Sequence, residues 1–295
     1  AHGLYLLAAR TGTARYRELA RPLVEEFAAT DDAGKPLAGD YFRRGRKGDE
    51  FYTLPKPRWE SLHPILALAE RARQDGDADA RRAFENLWWS IVKVDRHNNG
   101  GFSSGEQAQG NPYHQGAIET CCTIAWLALS VDMLKQTGDP VVADELELST
   151  INSAVGMFSP TGRWSTYNTP MDGHRRANYH EIVFQSRPGS PDLNCCSVNA
   201  ARGLGLVSQW ALLADAGGKG LTLNWYGAAK LAARLESAGQ VRLSVESDYP
   251  RSGAIVIKVA PEKAARFPLS LRIPQWSTAT SLSVNGEAVA EVKPA

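Results

Sequence analysis

Cysteines are the residues of this chain whose type and spacing most directly suggest chemistry. The chain has four of them in two adjacent pairs, Cys121 and Cys122 in AIETCCTIAW, and Cys195 and Cys196 in LNCCSVNAARG. A thiolate is both a nucleophile and a metal ligand, whereas a buried thiol is an inert apolar group. The two pairs therefore allow three interpretations, which are packing, disulfide bonding and metal binding.

Packing and disulfide bonding explain the two pairs less well than metal binding does. Free cysteine is among the most buried residue types, so packing is the natural interpretation of a single cysteine. It gives no reason for every cysteine to have a cysteine neighbour. A disulfide between neighbours in sequence is strained, so disulfides would have to join Cys121 to Cys195 or Cys122 to Cys196. A large helical domain does not need such cross-links.

Metal binding is the third interpretation, because thiolates with an acidic neighbour bind Zn²⁺ tetrahedrally. Cys121 and Cys122 in one helix would point about 100° apart, so both can hardly reach one ion. Glu119 and Cys121 converge if the ETC turn is an irregular entry to the helix. Cys195 and Cys196 converge if the backbone after the preceding turn is not helical. The best set of four ligands is therefore Glu119, Cys121, Cys195 and Cys196, with Cys122 left in the core.

The elements that must position these side chains are predicted to be helices over residues 1–217. Apolar residues recur at i, i+3 and i+4 in YRELARPLVEEFAAT, HPILALAERARQ and AIETCCTIAWLALSVDMLKQ. Gly12, Gly76 and Gly138 each follow a helix end and precede a new helix. Their spacing of about 60 residues, with more than one helix per repeat, predicts stacked helical hairpins that close into an α/α toroid. The central funnel of such a toroid is a common place for a carbohydrate site.

Residues 218–295 have a different pattern, and GGKG at 217–220 is the predicted boundary. Apolar and polar residues alternate in LTLNWYG, QVRLSVESD, GAIVIKV and FPLSLRIP, which predicts strands. Val241, Leu243 and Val245 are expected to share one face of a sheet. Asn285-Gly286 predicts a tight hairpin. We therefore expect an antiparallel β-sandwich domain, truncated at its C-terminal end.

Composition and charge exclude some partners. The net charge of +1 gives no strong field to attract nucleic acid or an anionic membrane, and the short cluster FRRGRK is expected to be a solvated loop. No apolar run is long enough to span a bilayer, and no signal peptide is visible. The chain starts at AHGLYLLAAR without Met and ends at EVKPA, so we expect a piece of a longer protein. A cytoplasmic location is the default expectation, and export stays an alternative because an export segment could precede this piece.

Four segments, in this order, resemble glycoside hydrolase family 127, the β-L-arabinofuranosidases. They are GGFSSGEQAQGNPYHQGAIETC, ADELELSTINS, GRWSTYNTPMDG and LNCCSVNAARGL. The resemblance covers roughly residues 60–275, and the CC segment together with ETC is its most specific part. It implies a mainly α fold, with an (α/α)6-barrel catalytic domain followed by β-sandwich domains. It also implies that the front of the barrel is missing from this chain.

The resemblance further implies a retaining glycosidase whose nucleophile is a zinc-bound cysteine. The first cysteine of LNCC, Cys195, matches the nucleophile, and Glu106 of the GE pair matches the general acid/base. The matching zinc ligands are Glu119, Cys121, Cys195 and Cys196. Glu147 in ADELEL and Tyr167 in STYNTP match positions that contact sugar.

Two departures from the family pattern limit what the resemblance implies. The gap between GE and ETC is a few residues shorter than in the characterised members, so Glu106 is a good but imperfect match. The sugar-contacting histidines of the family have no clear match, which leaves His63 in SLHPILAL and His97 in DRHNNGG as candidates.

Each of these residues also has an ordinary structural interpretation. Glu106 lies in a Gly- and Ser-rich stretch typical of an exposed loop, Glu147 suits a solvated helix face, and Tyr167 suits a core. His114 suits a position behind the metal ligands or on the surface. Tyr179 and His180 are further candidates for a cleft.

The predicted function is release of L-arabinofuranose from β-linked arabinose of plant glycoproteins or pectic side chains. The predicted partner is thus a carbohydrate, with no nucleic acid and no membrane. One alternative is a related hydrolase for another rare pectic sugar, because the zinc–cysteine chemistry does not choose the sugar. Another is a non-catalytic carbohydrate-binding protein in which zinc only clamps the barrel.

Overall fold

A computed structural model of the chain describes residues 1–103, 105–170, 195–289 and 292. The chain divides into two compact units. The first comprises Ala1–Gln136 and Leu148–Leu204, and the second comprises Thr137–Glu147 and Gly205–Ala295. The second unit thus includes a helical segment from the region that the sequence assigns to the helical domain.

The chain is mainly helical as far as residue 210. The described helices are α1 (His2–Thr11), α2 (Ala14–Glu25), α3 (Tyr41–Lys47), α4 (Leu62–Asp75), α5 (Ala78–Val94), α6 (Thr120–Thr137), α7 (Pro140–Leu148) and α8 (Cys195–Trp210). A π-helical turn, Ser149–Ala154, continues α7, and a 3-10 turn, Trp59–Ser61, precedes α4. None of the helices in the described ranges is long and apolar enough to cross a bilayer. The prediction of a mainly helical region is confirmed.

Glycines separate successive helices as the sequence predicts. Gly12, Gly76 and Gly138 follow α1, α4 and α6 with φ of 71°, 68° and 67°. This left-handed conformation ends a helix and costs glycine little because glycine has no Cβ. The carboxylates of Asp77 and Asp139 then accept backbone N–H bonds of 2.9 Å at the starts of α5 and α7. The helix–glycine–helix plan is therefore present at all three positions.

Aromatic rings fill the core of the first unit. The rings of Trp88 and Trp126 are stacked 5.2 Å apart. Trp126 contacts Phe102 at 5.5 Å, and Phe102 contacts Trp59 at 4.6 Å. Trp88 donates its indole N–H to the Ser130 hydroxyl at 2.9 Å, so this buried donor has a hydrogen-bond partner. Trp126 and Ser130 belong to α6, so this core places the helix whose first turn carries one cysteine pair.

A short antiparallel pair holds the segment before α6. β1 (Ile118–Glu119) pairs with β2 (Asn168–Thr169), with Glu119 opposite Asn168. The Thr120 amide donates to the Tyr167 carbonyl at 3.0 Å and continues the pairing. The ETC turn is thus a strand end followed directly by a helix start. This is the irregular helix entry that the sequence predicts.

The second unit is rich in strands. They are β3 (Leu212–Ala214), β4 (Leu221–Leu223), β5 (Ala229–Leu235), β6 (Gly239–Ser247), β7 (Ile255–Pro261), β8 (Leu269–Leu271), β9 (Leu282–Val284) and β10 (Glu287–Val289). The sheet orders are β5-β6-β7, β3-β4-β8 and β9-β10. Asn285 and Gly286 form the β9–β10 turn, both with positive φ. That hairpin is confirmed.

The face predicted for β6 is buried, but one pairing differs from the expected topology. Val241, Leu243 and Val245 are at most 3% exposed, whereas Arg242 is exposed. β4 pairs in parallel with β8, so the expectation of a wholly antiparallel arrangement is wrong at that pair. The reason is that β5, β6 and β7 lie between β4 and β8 in sequence and pair with one another in a separate sheet. β3 also begins before residue 218, because its hairpin with β4 includes the predicted boundary.

A buried guanidinium joins α7 to the strands of the second unit. The Arg272 side chain is fully buried and forms ion pairs with Asp144 and Glu147 of α7. Its Nε donates to the Asn224 carbonyl at 3.0 Å. The Tyr249 hydroxyl donates to the other oxygen of Glu147 at 2.6 Å. Both Glu147 oxygens are therefore bonded within this unit.

Candidate active site and metal centre

Three of the four thiols meet in the first unit. The Sγ atoms of Cys121, Cys195 and Cys196 all lie within 4.8 Å of one another, and those of Cys121 and Cys196 are 3.2 Å apart. That separation is far longer than a disulfide bond. All four cysteines are described and all are free thiols. Cys122 is buried outside this group, which is the core position that the sequence predicts.

Two helices bring these thiols together. Cys121 is the second residue of α6, and Cys195 and Cys196 are the first described residues of α8. Both are helical, so the condition that they need a non-helical backbone is wrong. Cys121 approaches from another helix, and the three sulfurs still lie close together.

Glu119 supplies a buried carboxylate of which one oxygen has no hydrogen-bond partner among the described residues. Its side chain is 3% exposed, and its Oε2 atom has no hydrogen-bond partner among the described residues. Burial raises the pKa of this carboxyl to about 7, and the thiol of Cys122 opposes part of that shift. Glu119 lies outside the group of three thiols that meet within 4.8 Å. A buried carboxylate oxygen without a donor is costly, and a cation would satisfy it.

The three convergent thiols influence one another's ionisation. Hydrogen bonding from Cys196, aided by Asn199, lowers the pKa of Cys121 to about 6, although burial opposes this. The hydrogen bond to Cys121 and burial raise the pKa of Cys196. Burial and the neighbouring Cys121 also raise the pKa of Cys195. One thiolate thus suppresses the others, and a bound cation is needed to keep all three ionised at neutral pH.

Asn199 belongs to this cluster, although the sequence does not single it out. It lies one helical turn after Cys195, on the same face of α8. Its side-chain amide donates to Cys121 Sγ at 3.2 Å. The helical spacing from Cys195 was the available signal, but it does not by itself show that Cys121 lies opposite.

Tyr167 lies within electrostatic reach of the thiols and of Glu119. It directly precedes β2, and its side chain is buried. Burial raises the pKa of the Tyr167 phenol, with further contributions from the charges of Glu119, Cys196 and Cys195. The predicted sugar-contacting tyrosine is therefore close to the predicted metal ligands.

Glu106 lies in a loop, and its side chain is 37% exposed. Its φ is 60°, a conformation that non-glycine residues seldom adopt. Its carboxylate forms an ion pair with Arg58. Its charge contributes to the raised pKa values of Glu119, after the larger effects of burial and Cys121, and of Tyr167. The predicted acid/base is therefore within electrostatic reach of the cluster.

Glu60 is a further carboxylate near the site. It lies in the 3-10 turn before α4, and its side chain is 54% exposed. Its charge is among the smaller influences on the pKa values of Glu119, Cys121 and Cys122. The sequence does not indicate that Glu60 lies near the site, because RWE at residues 58–60 is not a distinctive motif.

The two predicted histidines occupy different surroundings. His63 on α4 is partly buried, and burial lowers its pKa, followed by the charges of Arg202 and His2. Arg202 lies two turns after Cys195 on α8, so His63 is within electrostatic reach of the helix that carries the predicted nucleophile. His97 is 4% exposed, and burial and His114 lower its pKa.

Other predicted residues have partners away from the thiols. His114 Nδ1 lies 3.0 Å from the Ser103 hydroxyl. Glu147 is bonded to Arg272 and Tyr249 in the second unit. Tyr179 and His180 lie outside the described residues.

A second group of possible ligands already has protein partners. Ligand atoms of His2, Glu70 and Asp132 lie within 4.8 Å of one another. Glu70 Oε2 accepts hydrogen bonds from Arg73 at 2.5 Å and from Gln74 at 2.6 Å. The Glu70 carboxylate is thus satisfied, in contrast to that of Glu119.

A helical region holds three converging thiols and the buried carboxylate of Glu119, and a β-rich region follows it. Two family models identify the family to which these regions belong. The model of the β-L-arabinofuranosidase GH127 catalytic domain matches residues 1–209, and that of the GH127 middle domain matches residues 220–295. The chain belongs to glycoside hydrolase family 127. Comparison with curated proteins gives no match.

Solved structures with the same fold include three informative ones. A protein described as a glycoside hydrolase is 23% identical, with a TM-score of 0.76, and the match covers 99% of this chain and 51% of that one. The β-L-arabinofuranosidase Ara127N-Se from Geobacillus stearothermophilus T6 is 21% identical, with a TM-score of 0.74 and coverage of 97% and 48%. The β-arabinofuranosidase BT3674 is 20% identical, with a TM-score of 0.73 and coverage of 98% and 47%. The chain thus spans about half the length of these relatives.

Proposed function

We propose that this chain carries the catalytic centre of a retaining glycosidase that releases L-arabinofuranose from β-L-arabinofuranosides. One observation carries the proposal, namely the convergence of the Cys121, Cys195 and Cys196 thiols in a chain of family 127. The relatives Ara127N-Se and BT3674 are described as arabinofuranosidases, which favours this sugar over another rare pectic sugar. The finer fold proposed with it is an (α/α)6 barrel over residues 1–217 and a β-sandwich over 218–295, and a cytoplasmic location stays a prediction.

The proposed metal is zinc, held by Glu119, Cys121, Cys195 and Cys196. Three thiols and a buried carboxylate with an unsatisfied oxygen are a donor set that suits Zn²⁺. When bound, zinc would keep the thiols deprotonated and would accept charge at sulfur. A metal also explains why the Oε2 atom of Glu119 is buried without a hydrogen-bond donor among the described residues.

In the proposed reaction, Cys195 Sγ attacks the anomeric carbon of the sugar while Glu106 protonates the departing oxygen. Glu106 then removes a proton from a water molecule whose oxygen attacks the anomeric carbon. A carbon–oxygen bond forms as the carbon–sulfur bond breaks, so the Cys195 thiolate leaves and the sugar is released with net retention. Cys195 suits the nucleophile because it is exposed, whereas Cys196 is buried. Tyr167 and His63 are the best supported sugar contacts, and Glu147 and His97 stay predictions without a described contact to the cluster.

The test uses the full-length protein and an aryl β-L-arabinofuranoside. Cys195→Ser should abolish turnover, whereas Cys122→Ser should leave it largely intact. Mass spectrometry of the wild type during turnover should find a pentose adduct on the peptide that contains Cys195. A non-catalytic zinc clamp predicts no adduct and no hydrolysis of any pentofuranoside, and that result would reject the enzyme. Cleavage of a different aryl glycoside would keep the mechanism and change the sugar.

A further inference from the structure

Arg58 is not used in the reaction above, yet its backbone segment is joined to that of Glu106. The Trp59 amide donates to the Glu106 carbonyl at 3.1 Å, and the Ala108 amide donates to the Pro57 carbonyl at 2.8 Å. Arg58 and Gln107 form an antiparallel bridge between these bonds. Residues 57–59, which precede α4, are thus hydrogen-bonded to the loop that carries the proposed acid/base.

This joint fixes a backbone conformation that Glu106 would rarely adopt alone. Its φ is 60°, and the preceding Gly105 has φ of 108°. L-residues are disfavoured at positive φ because their Cβ crowds the backbone. Such a conformation persists where surrounding contacts impose it, and here the contacts come from residues 57–59.

The Arg58 guanidinium is shared between two carboxylates. Nη2 forms an ion pair with Glu106 Oε2. The same side chain contacts Glu60 through Nε at 3.3 Å and Nη2 at 3.2 Å. Glu60 therefore holds the guanidinium from one side while the guanidinium holds Glu106 from the other. The described residues give no hydrogen bond to Glu106 Oε1, so that oxygen is the one left for substrate.

We propose that Arg58 is a positioning residue for Glu106, and that Glu60 positions Arg58. The inference rests on the proposed role of Glu106 as acid/base. That carboxyl must point at the same oxygen when it protonates the leaving group and when it activates water, so its orientation affects both steps. A planar guanidinium fork bound at two points restricts rotation of the carboxylate better than a flexible ammonium would.

The test compares leaving groups in the full-length protein. The dinitrophenolate of a dinitrophenyl arabinoside departs without protonation, whereas the phenolate of a phenyl arabinoside needs a proton from the enzyme. Glu106→Gln should reduce kcat/KM on the phenyl substrate about 100-fold more than on the dinitrophenyl substrate. Arg58→Met should show the same preference at about 10-fold, and Arg58→Lys should recover part of it. Glu60→Gln should also reduce kcat/KM more on the phenyl substrate than on the dinitrophenyl substrate, by a smaller factor than Arg58→Met.

Arg46→Met is the matched control, because Arg46 forms an exposed ion pair with Asp79 at 2.9 Å. It should leave both substrates unchanged. Equal losses on both substrates for Arg58→Met would mean that Arg58 acts only on stability, and the positioning role would be rejected. If Glu106→Gln itself shows no dependence on the leaving group, the acid/base assignment fails instead. Should Arg58→Met not fold, the leaving-group ratios of Arg58→Lys and Glu60→Gln decide the question.

Discussion

The sulfur atoms of Cys121 and Cys196 lie 3.2 Å apart, although 75 positions separate the two residues in sequence. Cys121 lies on α6 and Cys196 lies on α8, so this contact links two distant parts of the chain. Because Cys122 lies outside the group of three thiols, separate changes of Cys121 and Cys122 distinguish metal binding from packing.

Cys196→Ala should weaken zinc binding by about 10–100-fold or more, because it removes one of the proposed ligands. Zinc affinity is measured by competition with a chromophoric chelator, and cobalt substitution should give a thiolate charge-transfer band that weakens in the variant. Cys122→Ser is the control, since Cys122 lies outside the group of three thiols and a serine hydroxyl can still donate to Glu119. An equal loss of affinity in both variants would reject the ligand assignment.

In the metal-free protein, Cys121 should react first with iodoacetamide as the pH rises. Its pKa is lowered to about 6 by hydrogen bonding from Cys196, whereas the pKa values of Cys195 and Cys196 are raised. The alkylation rate of Cys121 should therefore rise through about pH 6 and then level off. Peptide mapping after brief alkylation identifies the site. Preferential labelling of Cys195 near pH 6 would contradict this order.

Asn199→Ala should move that alkylation profile to higher pH. The Asn199 amide donates to Cys121 Sγ and favours its thiolate, so its loss raises the pKa of Cys121. Asn199→Asp should raise it further, because a second negative charge would lie beside the sulfur. Ser208→Ala is a suitable control, since the Ser208 hydroxyl bonds only within α8 and is exposed. An unchanged profile in both Asn199 variants would show that this bond has no electrostatic effect.

Glu119 should make the metal-free protein less stable as the pH rises from about 4.5 to about 7. Burial raises the pKa of Glu119 from 4.5 to about 7, so the folded state holds a proton that the unfolded state releases. Its contribution is fully present below the unfolded value and is lost as the pH approaches the folded value. Urea unfolding should detect a fall on the order of 2–3 kcal/mol from this group. Glu119→Gln should flatten that part of the profile, and saturating zinc should reverse the trend. A parallel pH slope in wild type and variant would contradict the assignment.

Arg272→Met should destabilise the protein by about 3–5 kcal/mol, because it leaves two buried carboxylates without their cation. The carboxylates are those of Asp144 and Glu147. Lys258→Met is the control, since Lys258 pairs with Glu246 on the surface, and it should cost less than about 1 kcal/mol. Urea denaturation measures both. Similar losses in the two variants would mean that the Arg272 network contributes little.

Features set by neighbouring residues were predictable from the sequence. A helix end followed by glycine at positive φ is a local event, so Gly12, Gly76 and Gly138 mark helix ends correctly. The alternation in β6 likewise predicts its buried face. The parallel β4–β8 pair was not predictable, because Leu221 pairs with Leu269 across three intervening strands that belong to another sheet.

The residues of the site likewise differ in how far they could be predicted from the sequence. The convergence of Cys121, Cys195 and Cys196 was predicted from residue chemistry and family resemblance together. Arg58 was missed because its partner Glu106 lies 48 positions away and neither segment has a distinctive motif. Glu147 illustrates the reverse case, since its pattern on α7 gives no hint of an ion pair with a residue 125 positions later.

The position at which α6 begins has a further consequence. β1 ends at Glu119 and α6 begins at Thr120, so Cys121 lies in the first turn of its helix. The free N–H groups of a helix start carry partial positive charge, and they favour a thiolate there before any cation arrives. One residue inserted between Cys121 and Trp126 would turn the sulfur by about 100° relative to the packed part of the helix. An insertion in the first turn of α6 should therefore be far less tolerated than one beside the exposed Tyr113 in the loop before β1.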